Sequence, residues 1–293
     1  MMADTIDSVE LGGTFDLDEF VRRVLAEDLG SGGDVTSRAT IAADARFAAT
    51  MNCREPITVA GLDIAISFFR ALDREVRVTK AVTDGDSVAA GTLLLRLEGN
   101  ARAMLAAERS ALNTLQHLSG IASLTARYVA AIGGSEGQKR AKLLDTRKTV
   151  PGLRLLEKYA ARMGGAQNHR MRMDDGLLIK DNHVAVAGGV GAAVRLAKAA
   201  ETGLPVQVEV DRIDQIEEAL AAGADRLLLD NMSAETLREA VAVVAGRVPL
   251  EASGGVNLDT IAAIAASGVD YVSVGRITQS APAVDIGLDY ALQ

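Results

Sequence analysis

The feature that most constrains the fold of this chain is a regular alternation of apolar runs and helical stretches from residue 205 onward. The apolar runs occupy 205–211, 225–231, 248–255 and 269–275. The segments between them carry apolar residues at helical spacing and reach a glycine near their ends, as helices commonly do. Alternation this tight predicts parallel strands joined by right-handed crossover helices.

Two further strand-like runs, 141–148 and 176–183, precede this region and bring the predicted strand count to six or seven. A closed barrel of strand–helix units has eight strands. The pattern therefore predicts an α/β fold with an open, incomplete barrel, and a doubly wound open sheet is the alternative. Composition agrees, because 48% of the residues are hydrophobic but only 3% are aromatic. A core of small aliphatic side chains suits helices packed on parallel strands.

The segment before the barrel differs in character, with an amphipathic helix and short strands separated by Asp-Gly and Gly turns. We predict a smaller N-terminal α/β sandwich domain over 1–115 and a catalytic barrel domain over 116–278. The C-terminal tail, 279–293, is free to pack on the first domain. A long helix over 108–132 is expected to join the two domains, and 133–140 is expected to form a loop.

Charge and cysteine content argue against several classes of protein. A formal net charge of -8 disfavours nucleic acid or an anionic membrane as the main partner, because both attract a broad excess of Lys and Arg. The single cysteine, Cys53, excludes an intramolecular disulfide and fits a reducing compartment. Residues 1–13 lack the pattern of a secretion signal, and no run of about 18 apolar residues suggests a membrane span. We expect a soluble, cytoplasmic protein.

Charged and polar residues stand near the ends of the predicted strands, where α/β barrels build their active sites. These residues are Arg147, Lys148, His169, Arg170, Lys180, Glu209, Asp230 and Ser253. Cations gathered in one cavity repel one another and are costly to bury without a partner, so such a group persists where an anion fills it. A salt bridge at the rim explains any one of them equally well. The set as a whole predicts a site for small polyanionic substrates.

Glycines near two strand ends suggest a phosphate site. Residues 253–255 precede a predicted helix and Gly275 follows the last strand, so both loops can offer bare backbone N–H groups to a phosphate. Glycine is also common in such connections for turn geometry alone, so a single loop of this kind is weak evidence. Two of them after neighbouring strands strengthen the prediction.

Two carboxylates and one histidine complete the candidate set. Glu209 and Asp230 end successive strands and provide hard oxygen ligands that suit Mg²⁺ carried on a diphosphate; the alternative is that they pair with nearby lysines. His169, beside an arginine, is the best histidine for ligand contact. His117 on the long helix is interpreted as structural, and His183 is a candidate for packing beneath the site.

Eight segments, in this order, resemble the quinolinate phosphoribosyltransferase family, also called nicotinate-nucleotide pyrophosphorylase (carboxylating). They are 27–37, 108–123, 145–160, 168–184, 208–211, 227–231, 251–256 and 272–278, and they span almost the whole chain. The resemblance implies a small N-terminal α/β domain and an open, seven-stranded α/β barrel. It also implies homodimers with shared active sites, or hexamers built from dimers.

The resemblance further implies a role for each candidate residue. The carboxylates of quinolinate would be held by Arg147, His169, Arg170 and Lys180, with Arg109 reaching in from the partner subunit. The ribose, Mg²⁺ and diphosphate of phosphoribosyl pyrophosphate would be handled by the catalytic residues Lys148, Glu209 and Asp230. Its 5′-phosphate would lie against Ser253, Gly254, Gly255 and Gly275. The implied reaction gives nicotinate mononucleotide, CO₂ and diphosphate, in NAD biosynthesis.

Three alternatives stay open at this level. One is a phosphoribosyltransferase for another small anion, such as nicotinate, although a monocarboxylate needs fewer cations. A second is a related protein linked to molybdenum transport. The third is a non-catalytic relative, against which the intact Lys148, Glu209 and Asp230 speak. Arg172 departs from the family pattern, and its role, as an additional cation in the site or as a solvent-facing residue, is left open.

Overall fold

The computed structural model describes residues 15–133 and 141–290. The predicted loop at 133–140 therefore lies almost wholly outside the described residues, as do the first 14 positions. The chain divides into two compact units. The first comprises Met1–Leu124, Leu155–Gly165 and Ser280–Gln293, and the second comprises Thr125–Arg154 and Ala166–Gln279.

Strands and helices alternate through most of the chain. The strands are β1 (Arg46–Cys53), β2 (Ile57–Thr58), β3 (Arg77–Lys80), β4 (Ser87–Val88), β5 (Leu93–Asn100), β6 (Lys142–Leu144), β7 (Leu177–Ile179), β8 (Val206–Val210), β9 (Arg226–Asp230), β10 (Leu250–Ser253), β11 (Tyr271–Ser273) and β12 (Ile286–Tyr290). The helices are α1 (Leu17–Leu29), α2 (Val35–Thr40), α3 (Leu62–Leu72), α4 (Ala101–Ile132), α5 (Arg154–Met163), α6 (Asp181–Ala187), α7 (Val190–Ala199), α8 (Asp214–Ala221), α9 (Ala234–Val244), α10 (Ile261–Ala265) and α11 (Arg276–Gln279).

The first unit contains a four-stranded antiparallel sheet in the order β12-β1-β5-β3 and a two-stranded pair, β2 with β4. Helix α1 packs against α3, and its N-terminus is capped by Asp16, whose carboxylate accepts a hydrogen bond from the Glu19 backbone N–H at 2.8 Å. The tail supplies the edge strand of this sheet, since β12 pairs with β1 from Ala49 to Cys53. The Gln116 side chain of α4 also donates a hydrogen bond to the Ile286 carbonyl at 2.8 Å.

The second unit is built on a parallel sheet in the order β6-β11-β10-β9-β8-β7. The first strand of this unit pairs with its last strand, as in a ring, and neighbours along the sheet otherwise follow chain order. A doubly wound sheet reverses its strand order near the middle, so that alternative is wrong. The described residues show no pairing between β6 and β7, and the barrel is open between them.

Six strands form the described parallel sheet, where the family resemblance implied seven. The missing position is marked by Gln167, which makes an isolated parallel bridge to Leu144 beside β6. The ladder stops there because the next residues bond elsewhere. The side-chain amide of Asn168 and the backbone N–H of His169 both donate to the carboxylate of Asp145. The prediction of an open, incomplete barrel is confirmed, with its seventh strand reduced to a single bridge.

Candidate active site

The strands of the second unit separate apolar and polar side chains onto two faces. On β8, Val206, Val208 and Val210 are buried, while Gln207 and Glu209 occupy the alternate positions. Successive strand residues point to opposite faces, and residues paired in register point to the same face. Helices α7 and α8 pack on β8, so the valines face the helices. The polar residues therefore face the interior of the barrel.

A hydrogen bond that passes over an intervening strand identifies this interior as concave. The Gln207 side chain on β8 donates to Glu251 Oε2 on β10 at 2.8 Å, although β9 lies between the two strands. Glu209 and Glu251 both pair in register with Leu228, so they lie at one level of the barrel. Asp230 pairs with Ser253 one step higher on the same face.

The carboxylate half of the site consists of Glu209 and Asp230, which the structure brings close together. Burial, and then the neighbouring charge of Asp230, raises the pKa of Glu209 above its ordinary value, and Lys180 opposes this rise. Burial also raises the pKa of Asp230, while Lys148 opposes the rise. The two lysines predicted at the site thus lie near these carboxylates. The remaining repulsion favours a cation between or beside the carboxylates.

Within 15–133 and 141–290, no three His, Cys, Asp or Glu side chains are grouped as a metal site made by protein alone. Mg²⁺ usually keeps several waters and is held by one or two carboxylates together with substrate phosphates. The donor set of Glu209 and Asp230 therefore fits the metal that the sequence predicted.

The cationic half of the site contains Arg147 and Arg170. Burial, and then the positive charge of Arg147, lowers the pKa of the Arg170 guanidinium from its ordinary value. Arg147 Nε is buried, and none of the described groups accepts a hydrogen bond from it. Arg170 Nη1 donates to the Gly176 carbonyl at 3.1 Å. The two guanidiniums are neighbours, and the buried Nε–H of Arg147 has no acceptor among the described groups. This half of the site therefore favours an anion.

His169 turns both ring nitrogens toward protein groups. Its Nδ1 accepts a hydrogen bond from the Arg170 backbone N–H at 2.7 Å, and its Nε2 lies 3.3 Å from Glu251 Oε2. The side chain is 12% exposed. The structure therefore places His169 between the cationic half of the site and a buried carboxylate. Direct contact of His169 with quinolinate, as the resemblance implied, stays a prediction.

Three polar residues at this site were not among the sequence-derived candidates. Asp145, fully buried, anchors the segment that carries His169, and Glu251 and Gln207 form the interior hydrogen bond described above. The sequence contained a signal for Gln207 and Glu251, because alternating polar and apolar residues along a strand predict that one face of the sheet is polar. Asp145 directly precedes the predicted Arg147 segment but carries no distinctive pattern of its own.

The two glycine loops are shaped by close packing. Gly254 has φ of +88°, and a β-carbon there would lie 2.2 Å from Asn231 Oδ1. A β-carbon on Gly275 would lie 2.7 Å from Lys148 Cδ. The Lys148 carbonyl accepts a hydrogen bond from Thr278 Oγ1 at 2.7 Å, which ties its loop to α11. Packing and backbone conformation thus require glycine at Gly254, whereas at Gly275 a larger residue would displace the Lys148 side chain; phosphate binding by the two loops stays a prediction.

The lysine and arginine that flank β7 have different settings. The Lys180 backbone N–H donates to His183 Nδ1 at 3.0 Å, so His183 holds the backbone at the beginning of α6. Arg172 pairs with Asp174 at 3.0 Å, and its side chain is 63% exposed. Arg172 faces solvent in this structure.

Two of the predicted residues belong to the first unit. Arg109 is exposed on α4. His117 Nε2 lies 2.9 Å from Glu157 Oε1, which agrees with the interpretation of His117 as structural. The contribution of Arg109 to a site in another subunit stays a prediction.

Comparison with known proteins gives consistent matches along the chain. Residues 34–119 match the N-terminal domain of quinolinate phosphoribosyl transferase, and residues 121–289 match its C-terminal domain. The nicotinate-nucleotide pyrophosphorylase [carboxylating] of Mycobacterium leprae is 44% identical over 277 residues, covering 92% of this chain and 95% of the relative. A probable enzyme of that name from Bacillus subtilis is 38% identical, with 94% of each chain covered.

Solved structures agree with the sequence matches. The structure of the nicotinate-nucleotide pyrophosphorylase from Francisella tularensis superposes with a TM-score of 0.88 at 41% identity, covering 95% of this chain and 98% of that one. None of the described helices is long and apolar enough to cross a membrane.

Proposed function

This chain belongs to the quinolinate phosphoribosyltransferase family, and we propose that each half of its active site binds one of the two substrates. It catalyses the carboxylating nicotinate-nucleotide pyrophosphorylase reaction of NAD biosynthesis. Quinolinate and phosphoribosyl pyrophosphate react to nicotinate mononucleotide, CO₂ and diphosphate. The cationic half binds the pyridine dicarboxylate. The carboxylate half, with the two glycine loops, binds the phosphoribosyl donor.

The observation that carries this division is the pair Arg147 and Arg170. Burial, and then the positive charge of Arg147, lowers the pKa of Arg170, and Arg147 Nε is buried without an acceptor among the described groups. A rigid dicarboxylate satisfies both guanidiniums, because each carboxylate can accept two parallel N–H hydrogen bonds. Lys180 completes this half, His169 lies beside Arg170 within it, and Arg109 of a second copy of the chain is the remaining group in the proposal.

The donor half is proposed to act on the bond between ribose C1 and diphosphate. Lys148 stabilises the charge that develops on diphosphate as it departs, and the pyridine nitrogen attacks C1, which has oxocarbenium character. Glu209 and Asp230 would hold Mg²⁺, directly or through water, and Mg²⁺ would supply further neutralisation of the diphosphate. Ser253, Gly254, Gly255 and Gly275 are assigned to the 5′-phosphate.

Decarboxylation follows from the first step without a nucleophilic side chain. Once the ring nitrogen carries the ribose, it is positively charged and stabilises the electron pair left at C2 when CO₂ departs. Protonation of C2 then gives nicotinate mononucleotide. The site therefore needs to orient quinolinate with its nitrogen toward C1, which two fixed guanidiniums achieve.

Arginine-to-lysine substitutions test the quinolinate assignment. Arg147→Lys and Arg170→Lys keep a positive charge but lose the planar pair of donors, worth about 1.5 to 3 kcal/mol, so kcat/KM for quinolinate should fall roughly 10- to 100-fold. Arg172→Lys is the matched control, because Arg172 is solvent-exposed and paired with Asp174. The control should stay within about twofold of wild type. Near-normal quinolinate kinetics in both site variants would contradict the assignment.

A second candidate substrate, nicotinate, is resolved in the same assay. It carries one carboxylate and has none to lose as CO₂. We expect product from quinolinate with stoichiometric CO₂, and little or none from nicotinate. Turnover of nicotinate alone would overturn the substrate assignment.

We further propose a cytoplasmic homodimer whose sites are shared, with hexamers of such dimers as the larger form. Arg109→Ala and Lys148→Ala are each expected to lose most of the activity and to keep a small, measurable residual rate. If Arg109 acts on the site of the partner subunit, mixing the two variants under exchange conditions regenerates one intact site in each mixed dimer. Recovered activity should approach about a quarter of wild type for a twofold-symmetric dimer. No recovery despite demonstrated subunit exchange would contradict sharing.

A further inference from the structure

Glu251 on β10 is a charged group buried in the barrel interior, with 1% of its residue surface exposed. Its Oε2 accepts the Gln207 side-chain N–H at 2.8 Å and lies 3.3 Å from His169 Nε2. Burial alone raises the pKa of this carboxyl, but the adjacent His169 ring, together with hydrogen bonds from Gln207 and Ser273, outweighs burial and holds the pKa below its ordinary value. Glu251 is therefore a fixed negative charge inside the barrel.

The hydrogen bonds of His169 define which nitrogen carries its proton. Nδ1 accepts from the backbone N–H of Arg170 at 2.7 Å, and a nitrogen that accepts carries no proton. The ring proton is then on Nε2, the nitrogen that faces the Glu251 carboxylate. A carboxylate next to one ring nitrogen commonly fixes a histidine tautomer in this way.

The same contacts fix the backbone of Arg170, from which its side chain extends. The His169 backbone N–H donates to buried Asp145 at 2.8 Å, and the next N–H, that of Arg170, donates to the imidazole. At its far end, Arg170 donates from Nη1 to the Gly176 carbonyl at 3.1 Å. Arg170 is thus held at both ends. If Nδ1 carried the proton, two N–H donors would face each other and the backbone would have to move.

We propose that Glu251 is a positioning residue for quinolinate binding, which keeps His169 in its Nε2–H form and thereby fixes the backbone from which Arg170 reaches the substrate. This inference rests on the proposed function in one respect, the assignment of Arg170 to quinolinate. It gives His169 a role in orientation through both of its ring nitrogens. Glu251 touches no substrate in this scheme and acts through its neighbour.

The tautomer of His169 is measurable in the wild-type protein without substrate. The chain has three histidines, so selective ¹⁵N-histidine labelling gives a sparse spectrum, and a His169→Gln variant assigns the signals. Near pH 7.5 we expect a pyridine-type signal from Nδ1 and a pyrrole-type signal from Nε2 of His169. The reverse pattern would overturn the proposal, whatever the activity of the enzyme.

Kinetics of Glu251→Gln give the second readout. The amide can present either oxygen or NH₂ to His169, so the Nε2–H form is no longer imposed. The KM for quinolinate should rise about tenfold, while kcat and the KM for phosphoribosyl pyrophosphate stay within about threefold. The ¹⁵N spectrum of the variant should show a mixed His169 tautomer. An unchanged KM for quinolinate, or an equal loss for both substrates, would overturn the proposal.

Glu157→Gln is the matched control. Glu157 is also a buried carboxylate that meets a histidine nitrogen, His117 Nε2 at 2.9 Å, but in the first unit. Both variants lose one buried charge, so a loss of thermal stability should be similar, and only Glu251→Gln should change the KM for quinolinate. Failure of the proposed function is recognised separately, by normal quinolinate kinetics in Arg170→Lys.

Discussion

Replacing Gly275 by alanine should slow turnover while the protein stays folded, because the added methyl group meets the stem of Lys148. The new β-carbon would lie 2.7 Å from Lys148 Cδ and 3.4 Å from Thr146 Oγ1. Carbon atoms in contact are normally about 3.5 to 4.0 Å apart, so Cδ must move by roughly 1 Å. A catalytic group displaced by about 1 Å can cost roughly 100-fold in rate. That factor corresponds to about 2.7 kcal/mol of transition-state stabilisation.

The cost to folding should be much smaller. The clashing atom belongs to a flexible side chain, so the free energy of unfolding should change by less than about 1 kcal/mol and Tm by less than about 4 °C. The assay is kcat at saturating quinolinate and phosphoribosyl pyrophosphate, with Tm measured in parallel. Gly32→Ala is the control, because no atom lies within 4 Å of a β-carbon there and its φ is not left-handed.

A double mutant separates displacement of Lys148 from a direct effect on the loop. In a Lys148→Ala background the clashing Cδ is gone, so adding Gly275→Ala should cost less than about threefold. The same 100-fold loss in both backgrounds would refute the reasoning, and would indicate that the backbone at Gly275 itself contacts the substrate.

Two further predictions concern pH and metal. The hydrogen bonds that Asp225 accepts from Val206 N–H and Lys198 Nζ, at 2.7 and 2.9 Å, outweigh burial and lower its pKa below 3.8. A lowered pKa stabilises the fold when the group is ionised, above pH 3.8, and this contribution is lost as pH falls through the folded-state pKa. Asp225→Asn should therefore cost about 1 kcal/mol in urea unfolding at pH 7 and progressively less toward pH 3; a constant deficit would contradict this. Glu209→Gln and Asp230→Asn should each raise the Mg²⁺ concentration for half-maximal turnover about tenfold, with the KM for quinolinate within threefold, and an unchanged Mg²⁺ requirement would count against the metal assignment.

Local patterns in the sequence located the strands of the barrel well. The predicted runs 205–211, 225–231, 248–255 and 269–275 each contain an observed strand, β8 to β11. Apolar periodicity is a property of neighbouring residues, so it survives without knowledge of the fold. The run 176–183 was too long, because α6 begins at Asp181. A short apolar run followed by charged residues does not mark where strand ends and helix begins.

The supporting residues of the site were harder to find. Glu251 and Gln207 meet although they come from strands that are not adjacent, and the Asp145 carboxylate accepts hydrogen bonds from the Asn168 side chain and the His169 backbone N–H, more than 20 positions away. Such contacts depend on how the sheet curves and where the chain leaves it. Candidate residues at strand ends are identifiable because barrels gather them by topology. The hydrogen-bond partners of these residues are set by distances in the folded chain, and no pattern in the sequence marks those distances.

The sequence by itself determined the parallel strand–helix plan, the family, and the cations, carboxylates and glycines that lie at the strand ends. The tertiary structure decided that the barrel opens between β6 and β7, that burial and the nearby charge of Arg147 lower the pKa of Arg170, and that Arg172 faces solvent. The physical reason is the distance along the chain over which each property acts. Periodicity and residue type act over a few neighbours along the chain, whereas burial, charge coupling and hydrogen-bond partners are set by the packed barrel.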